Sequence, residues 1–347
     1  MAPPRSRATM SDVARLAGVS AKTVSRVYTE PASVSPATTS RVMDAARRLH
    51  FTPNRLARDL RRGAVSHTVG FVTPEPTNPF YVHVAAGIGQ VCAEQGLTMM
   101  IASSADPGSE TDVIDTLVAQ RVRAILLVPS LDDYAHLDQE RHLGTAIVAI
   151  DRPTPNLLAD SVLLDNAQGG RDAARVLLEH GHTRIGYVCN PRSVFTQEQR
   201  VAAYRQTVRE ATGESTTRWE RTSDDPHTSL DDLVSSLLDA DDPPTAIIGG
   251  NNRATAAIIR QLTRRRLDLA VVGVDDFEFA DLFDVSVITH DAEEMGRVAA
   301  RLAVHRMGEP TGAPEHRLLP LTYIPRGSGE RPAARGATSG TAPTGTR

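Results

Sequence analysis

The chain has 347 residues, of which 40% are hydrophobic and 23% charged, and its formal net charge is −4. This length favours a globular protein of two or three domains, and the two cysteines are too few for a disulfide framework or a cysteine zinc site. No apolar run is long enough to span a membrane and the amino-terminal residues lack a secretory apolar segment, so we expect a cytoplasmic protein.

Positive charge is concentrated at the amino-terminal end of the chain. Residues 1–63 contain 12 Lys or Arg against 4 Asp or Glu, whereas the remaining residues contain 26 against 38. Lys22 is the single lysine, and the other 37 positive side chains are arginine. A small basic unit followed by a large acidic one indicates that only the first unit contacts a polyanion.

Capping signals predict three short helices in the basic unit. Thr9–Asp12 has the spacing of a capping box, and a helix over about 10–17 follows it. Gly18 supplies a residue that tolerates the left-handed conformation and so ends this helix. Ser20 then caps a second helix, and Ser35-Pro36 starts a third.

The apolar positions of these helices face one another. Val13 and Leu16 of the first helix are spaced to pack against Val24 and Val27 of the second. Two short helices that share an apolar side across a tight glycine turn form a helix-turn-helix. The third helix closes the core with Val42, Ala45, Ala46 and Leu49.

The start of the second helix presents a polar surface. With Val24 and Val27 inward, Lys22 and Arg26 point outward beside Ala21, at the end that a recognition helix inserts into the major groove. Both cations can donate to guanine O6 and N7, and the Ala21 methyl can meet a thymine methyl. The alternative is an ordinary amphipathic helix with a solvated face.

The segments "DVARLAGVS", "TVSRV" and "PNRLARDL" resemble the DNA-binding headpiece of the lactose-repressor (LacI/GalR) family. The resemblance implies that residues 52–60 form a hinge helix when they pack against their twin and DNA, and that this helix wedges Leu60 into the minor groove. The alternative for Leu60 is an ordinary linker residue. The DNA-binding candidates are Ser20, Ala21, Lys22, Thr23, Ser25, Arg26, Asn54, Arg55, Ala57 and Leu60.

From residue 67 onward, apolar strand-like runs alternate with helical stretches, which predicts parallel sheets in two similar lobes that change near 160–166. The late segment 286–308 is predicted to return to the first lobe, and 318–327 to cross back. We expect a headpiece over 1–51, a hinge and linker over 52–66, a two-lobed domain over 67–326 and a disordered tail over 327–347. The strand runs are "HTVGFVTP", "LTMMIAS", "AILLVPS", "AIVAIDRP", "RIGYVCN", "TAIIGGNN" and "LAVVGVDD".

Polar residues follow three of these runs. Asp151, Asn251 and Asp275 lie where strands end, and open parallel sheets bind ligands beyond the carboxyl ends of their strands. The segments "TNPFYVHVAAGI", "DSVLLDNAQGG" and "AVVGVDD" resemble the effector domain of the same family, a two-lobed α/β domain similar to periplasmic binding proteins.

This second resemblance implies a small polar ligand, commonly a sugar, between the lobes. Arg200, Asn251 and Asp275 would hydrogen-bond it, Phe80 or Tyr81 would stack against it, and Asp151 would contact it at the rim. Plainer alternatives are a helix-to-sheet bridge for Arg200, a strand-end cap for Asp275 and a core position for Phe80.

The sequence departs from the family pattern near the expected ligand. Asn251-Asn252 stands where the family usually has Asn-Asp, which removes a carboxylate from the cleft, and Ala203 stands where glycine is usual. These differences bear on the identity of the ligand more than on the fold.

The leading interpretation is a transcriptional regulator, most simply a repressor, that binds a near-palindromic operator as a homodimer. A transport-type binding protein would require export and would not need a headpiece. An enzyme is disfavoured because GxSxG, phosphate-loop and metal-spacing motifs are missing, so no catalytic residue, metal or cofactor is expected. The sequence leaves open whether the ligand induces or co-represses.

Overall fold

The computed structural model describes residues 8–52, 66–104, 107–191, 194–225 and 227–333. The chain forms two compact units, and the boundary between them falls between Ser66 and His67. The hinge candidates Asn54, Arg55, Ala57 and Leu60 lie outside the described residues.

Residues 8–52 of the first unit contain three α-helices, and their caps follow the sequence signals. Thr9 and Asp12 form a complete capping box, in which hydrogen bonds from Thr9 hold the pKa of Asp12 below its usual range. Gly18 has a φ of 65°, and Ser20 and Ser35 each accept a backbone hydrogen bond at a helix start. The helices are α1 (Met10–Ala17), α2 (Ala21–Thr29) and α3 (Pro36–Arg48).

The core of this unit is small and differs from the prediction at one position. Leu16 is exposed, and Ala14 is buried beside Val13 and Ala17 instead. Leu16 lies three residues from Val13, but α2 and α3 both pack on the side of α1 that carries the alanines. The other buried members are Val24, Val27, Val42, Ala45 and Ala46.

The second unit contains two six-stranded sheets, as the alternating pattern predicts. The first sheet has the order β11-β5-β4-β3-β1-β2 and is parallel throughout. The second has the order β12-β10-β9-β8-β6-β7, in which β12 alone is antiparallel. The strands are β1 (Thr68–Thr73), β2 (Thr98–Ser103), β3 (Ala124–Leu127), β4 (Ala146–Ile150), β5 (Asp160–Leu164), β6 (Ile185–Cys189), β7 (Glu220–Thr222), β8 (Ala246–Gly249), β9 (Ala270–Val274), β10 (Ser286–Thr289), β11 (His316–Leu319) and β12 (Thr322–Ile324).

Helices connect most of the successive parallel strands, because a parallel pair requires a long crossover, whereas loops connect β4 to β5 and β9 to β10. Each sheet with its helices forms one lobe, and the central strands β3, β4, β8 and β9 are buried along their whole length. The helices are α4 (Pro79–Glu94), α5 (Pro107–Ala119), α6 (Asp138–His142), α7 (Asn166–Glu179), α8 (Phe195–Thr212), α9 (Leu230–Leu238), α10 (Asn252–Arg265) and α11 (Ala292–Gly308).

The chain passes between the lobes three times: after β5, after β10 and between β11 and β12. The predicted return of the late segment is confirmed for α11, which packs against α4, β3 and β4 of the first lobe, but is wrong for residues 286–289, which pair with β9 as strand β10 of the second sheet. A buried ion pair fixes this return, in which Arg306 of α11 donates to both carboxylate oxygens of Asp160 at 2.9 and 2.8 Å.

The prediction of a disordered tail from residue 327 is wrong for residues 327–333. Ser328 is 1% exposed, and its hydroxyl donates to the carbonyl of Val271 at 2.5 Å. Three residues later, a ring nitrogen of His182 lies 2.8 Å from the carbonyl oxygen of Arg331 and anchors this part of the segment. The low apolar content of this stretch is misleading because backbone and hydroxyl groups, not apolar side chains, attach it to the second sheet.

Cys92 and Cys189 are both buried, and neither forms a disulfide. No helix within the described ranges is long and apolar enough to cross a bilayer.

Glycines allow α4 and α11 to approach backbone to backbone. A Cβ atom at Gly87 would lie 2.0 Å from the carbonyl oxygen of Glu293, and one at Gly296 would lie 2.1 Å from that of Val84. Neither carbonyl belongs to a flexible side chain, so the helices would have to separate to accept a methyl group.

We expect Gly87→Ala to lower the free energy of unfolding by about 1–3 kcal/mol, because overpacking forces the two helices apart. Gly89→Ala in the same helix is the matched control, since its nearest contact would be Met99 Cε at 3.6 Å. Alanine should stabilise that position by about 0.4–1 kcal/mol through helix propensity and reduced chain entropy. Urea unfolding of both variants measures the difference, and equal effects would contradict the close crossing.

Candidate functional site

The first candidate site is the exposed side of α2. Ala21, Lys22 and Arg26 are exposed, whereas Val24 and Val27 are buried against the other helices. Of the remaining candidates on this helix, Ser20 is exposed and caps the helix, while Thr23 and Ser25 are partly buried. The exposed side of α2 thus presents the Ala21 methyl group and Lys22 at the beginning of the helix and Arg26 in its last turn, groups that can contact base edges in a major groove.

The second candidate site is a cavity between the two lobes of the large unit, at the carboxyl ends of their strands. It encloses about 550 Å³ of space between protein atoms, including a part that is open to solvent. The structure brings all six predicted residues to this cavity: Phe80, Tyr81, Asp151, Arg200, Asn251 and Asp275.

Arg200 of α8 is the most heavily bonded residue in the cavity. It is 3% exposed, its Nε donates to Asn166 Oδ1 at 2.7 Å, and its Nη1 donates to the carbonyl oxygen of Gly250 at 2.8 Å. Nη1 and Nη2 also face the two oxygens of Asp275 at 3.3 and 3.5 Å. Arg200 therefore does bridge its helix to the ends of the strands, as the plainer alternative supposed. Its guanidinium also lines the cavity.

Two glycines make room for this arrangement. A Cβ atom at Gly170 of α7 would lie 2.2 Å from the carbonyl oxygen of Arg200, so α7 and α8 cross closely. A Cβ atom at Gly250 would lie within 2.6 Å of both Tyr187 and Gln197. The Gly250 carbonyl oxygen can therefore accept from Arg200 Nη1 and from Gln197 Nε2, which fixes the end of β8.

Asp151 and Asp275 occupy equivalent positions in the two lobes. Each follows a central strand and adopts a left-handed conformation, with φ of 69° and 64°. Aspartate tolerates this conformation better than most residues, and it turns each carboxylate toward the cavity. Burial raises the pKa of Asp275, and the neighbouring Arg200 partly opposes this effect.

Tyr81 and Asp151 form a buried pair on the first-lobe side. The Tyr81 hydroxyl donates to Asp151 Oδ2 at 3.1 Å and accepts from Arg152 Nη2 at 3.4 Å. Burial, followed by the nearby Asp151 charge, raises the pKa of Tyr81, so the hydroxyl stays protonated and acts as the donor. Phe80 packs edge-on against Tyr81 and is only partly buried, so it is the ring available for stacking.

Asn251 combines a place at the cavity with a capping role. Its Oδ1 accepts from the backbone N–H of Ala254 and so caps the start of α10. Its Nδ2 donates to the Asn190 carbonyl oxygen. One amide hydrogen therefore remains for a ligand.

Several polar residues that were not predicted as ligand contacts line the same cavity, including Asn252, which was predicted only to remove a carboxylate from the cleft. Glu75 and Asn78 follow β1, and Arg152 follows β4, so the carboxyl-end rule that found Asp151 would also have found them. Asn252 and Arg253 begin α10. The remaining polar residues around the cavity are Asn190, Thr196 and Gln197.

The chain combines a helix-turn-helix unit with a two-lobed unit that encloses a polar cavity. This combination defines a class of protein, the ligand-controlled DNA-binding regulators. Residues 9–54 match the model of the bacterial regulatory proteins of the lacI family, and residues 174–329 match the periplasmic binding protein-like domain. The chain belongs to the LacI family. It is accordingly a regulator of transcription and not an enzyme.

Relatives align over nearly the whole chain. The ribose operon repressor of Escherichia coli K12 is 30% identical over 92% of this chain and 99% of its own length. The repressor CytR of the same strain is 30% identical over 92% and 96%. Among solved structures, a complex of the regulator CelR with cellobiose has 30% identity, a TM-score of 0.67 and coverage of 93% and 100%. The Lac repressor dimer bound to operator and an anti-inducer, at 23% identity, has a TM-score of 0.76 over 93% and 99% and supports the fold.

We expect the two halves of the Arg200–Asp275 pair to respond differently to mutation. Arg200→Ala leaves the carboxylates of Asp275 and Asp151 facing each other without this cation, and should cost about 3–5 kcal/mol of unfolding free energy. Asp275→Asn keeps Arg200 bonded to Asn166 and Gly250 and close to Asp151, so its loss should be less than about half of that. Urea unfolding at pH 7 measures both, and equal losses would contradict this account of the site.

Proposed function

We propose that the chain represses genes for the use of a neutral sugar or a nucleoside by binding a near-palindromic operator as a homodimer. Binding of that small molecule between the lobes changes operator affinity. The observation that carries the proposal is the charge-balanced, hydrogen-bonding cavity, to which all six predicted ligand residues contribute.

The charges around the cavity favour an uncharged ligand. It is lined by three carboxylates and three arginines, and each carboxylate has an arginine within 3.5 Å. An anionic or cationic ligand would have to displace one member of a pair, whereas hydroxyl groups can both donate to the carboxylates and accept from the arginines. Amide side chains and the partly exposed ring of Phe80 suit the hydroxyls and the apolar face of a sugar.

The names of the relatives agree with this ligand class. The relatives include a ribose operon repressor, and a solved structure at 30% identity contains cellobiose. Asn252 stands where the family usually has an aspartate, which removes one carboxylate from the cleft. The arrangement of ligand hydroxyl groups that this cleft binds should therefore differ from the arrangement that the usual aspartate selects.

The exposed side of α2 would read the operator. Lys22 and Arg26 supply donors for base edges, and the basic excess of residues 1–63 supplies attraction to phosphate. Asn54, Arg55, Ala57 and Leu60 remain predicted hinge contacts. A ligand that binds more tightly to the lobe arrangement unable to bind operator induces transcription. A ligand that binds more tightly to the DNA-bound lobe arrangement acts as a co-repressor.

The test is a panel of neutral aldoses, disaccharides and nucleosides added to the full-length chain. One compound should raise stability by about 2.7 kcal/mol at a hundred times its Kd and should be recovered chemically unchanged, since nothing is turned over. The same compound should change affinity for operator DNA, selected from random fragments, by about 5–150-fold. Stabilisation by organic phosphates alone would contradict the neutral-ligand assignment.

We expect Lys22→Ala to weaken operator binding by about 1–3 kcal/mol and to relax preference at one base pair in each half-site. A flexible ammonium can shift between neighbouring acceptors, which distinguishes it from the rigid fork of arginine. Binding to the selected operator and to single-base variants measures the change. Uniform weakening on all sequences, with a salt slope reduced by about one, would assign Lys22 to a phosphate instead.

Because Lys22 is the single lysine, chemical protection gives a second measurement. An amine-acetylating reagent has only Lys22 and the amino terminus to modify. Saturating operator should slow the acetylation of Lys22, and an unchanged rate would place it outside the groove.

A further inference from the structure

Two side-chain contacts join the lobes across the cavity. Asn252 Nδ2 of the second lobe donates to Asn78 Oδ1 of the first lobe at 3.0 Å. Arg253 Nη1 of the second lobe lies 3.4 Å from Glu75 Oε2 of the first. Asn78 Nδ2 also donates to Glu75 Oε2 at 3.2 Å, so the four side chains form one connected network.

The orientation of the Asn78 amide follows from its other partners. Asn78 Oδ1 accepts from the backbone N–H of Phe80 and so caps α4, while Asn78 Nδ2 faces the Glu75 carboxylate. The atom of Asn78 that faces Asn252 is therefore an acceptor. Residue 252 must present a donor to it, which an amide does and an ionised carboxylate does not.

The network runs from the interior of the cleft to its rim. Asn252 is 4% exposed, whereas the side chains of Glu75 and Arg253 are 36% and 59% exposed. The inner contact is partly buried, whereas the outer ion pair is screened by solvent and correspondingly weak. All four residues line the cavity, so the network forms part of its wall.

We propose that Glu75, Asn78, Asn252 and Arg253 form a clasp that holds the two lobes together before any ligand binds, with Asn252 as the positioning residue. The clasp sets how far the cleft is closed in the free protein. If the cavity is the effector site, as proposed above, the clasp also sets how much of the closing a ligand must itself drive. Asn252, which stands where the family usually has aspartate, thereby has a physical role as the hydrogen-bond donor of the clasp.

A carboxylate at position 252 would oppose the clasp without weakening its own helix. The Asn252→Asp substitution would place an acceptor against Asn78 Oδ1 and a second negative charge near Glu75. Position 252 is also the first residue of α10, where a carboxylate interacts favourably with the helix dipole. A loss of inter-lobe contact can therefore be separated from a loss of helix stability.

The experiment is hydrogen–deuterium exchange of the full-length chain without added ligand, comparing wild type with Asn252→Asp. Backbone amides in residues 74–82, on the lobe opposite the mutation, should exchange about two- to tenfold faster, as expected for one lost buried hydrogen bond. Asn156→Asp is the matched control, because Asn156 is exposed in the loop between β4 and β5 and undergoes the same chemical change. It should leave exchange in residues 74–82 unchanged.

A folded Asn252→Asp variant with wild-type exchange in residues 74–82 would overturn the clasp, as would an equal effect of Asn156→Asp. If Asn252→Asp does not fold, Asn252→Leu provides the same comparison, since it removes the donor without adding a charge. The measurement contains no ligand, so a failed search for an effector would contradict the proposed function and leave the clasp standing.

Discussion

A guanidinium that is almost completely removed from water must find its hydrogen-bond acceptors within the protein, and Arg200 imposes this requirement on the second lobe. Its partners come from three separate segments: Asn166 at the start of α7, Gly250 after β8 and Asp275 after β9. These segments must be held at fixed distances for the charge to be tolerated. Arg200 and its partner Asp275 both line the cavity, so the contacts that satisfy the guanidinium also fix the position of these two side chains in the cavity wall.

The features that were predictable from sequence are those encoded locally. The capping box at Thr9 and Asp12, the glycine at position 18 and the buried runs of the central strands depend on nearby residues, so their spacing reveals them. The carboxyl-end rule also located Asp151 and Asp275, since topology alone determines which end of a parallel strand faces the ligand.

What escaped prediction depends on distant partners. Ser328 is ordered because of the carbonyl of Val271, and no periodicity indicates such a contact. Asn252 could be recognised as unusual but not interpreted, because its partner Asn78 lies on the other lobe. The exposure of Leu16 likewise depends on which side of α1 the other helices approach. Hydrogen bonds between remote segments are thus where sequence patterns carry least information.

The buried pair between Asp160 and Arg306 has a consequence for biosynthesis. Asp160 belongs to β5 of the first lobe, but its cation lies in α11, and the edge strand β11 follows later still. The ribosome makes strands β6 to β10 of the second lobe in between, which at about 5–20 residues per second takes on the order of ten seconds. During that interval the first lobe holds an unneutralised carboxylate and an uncovered α4. Its folding must therefore be completed after its neighbour has emerged, although its first strand is synthesised earlier.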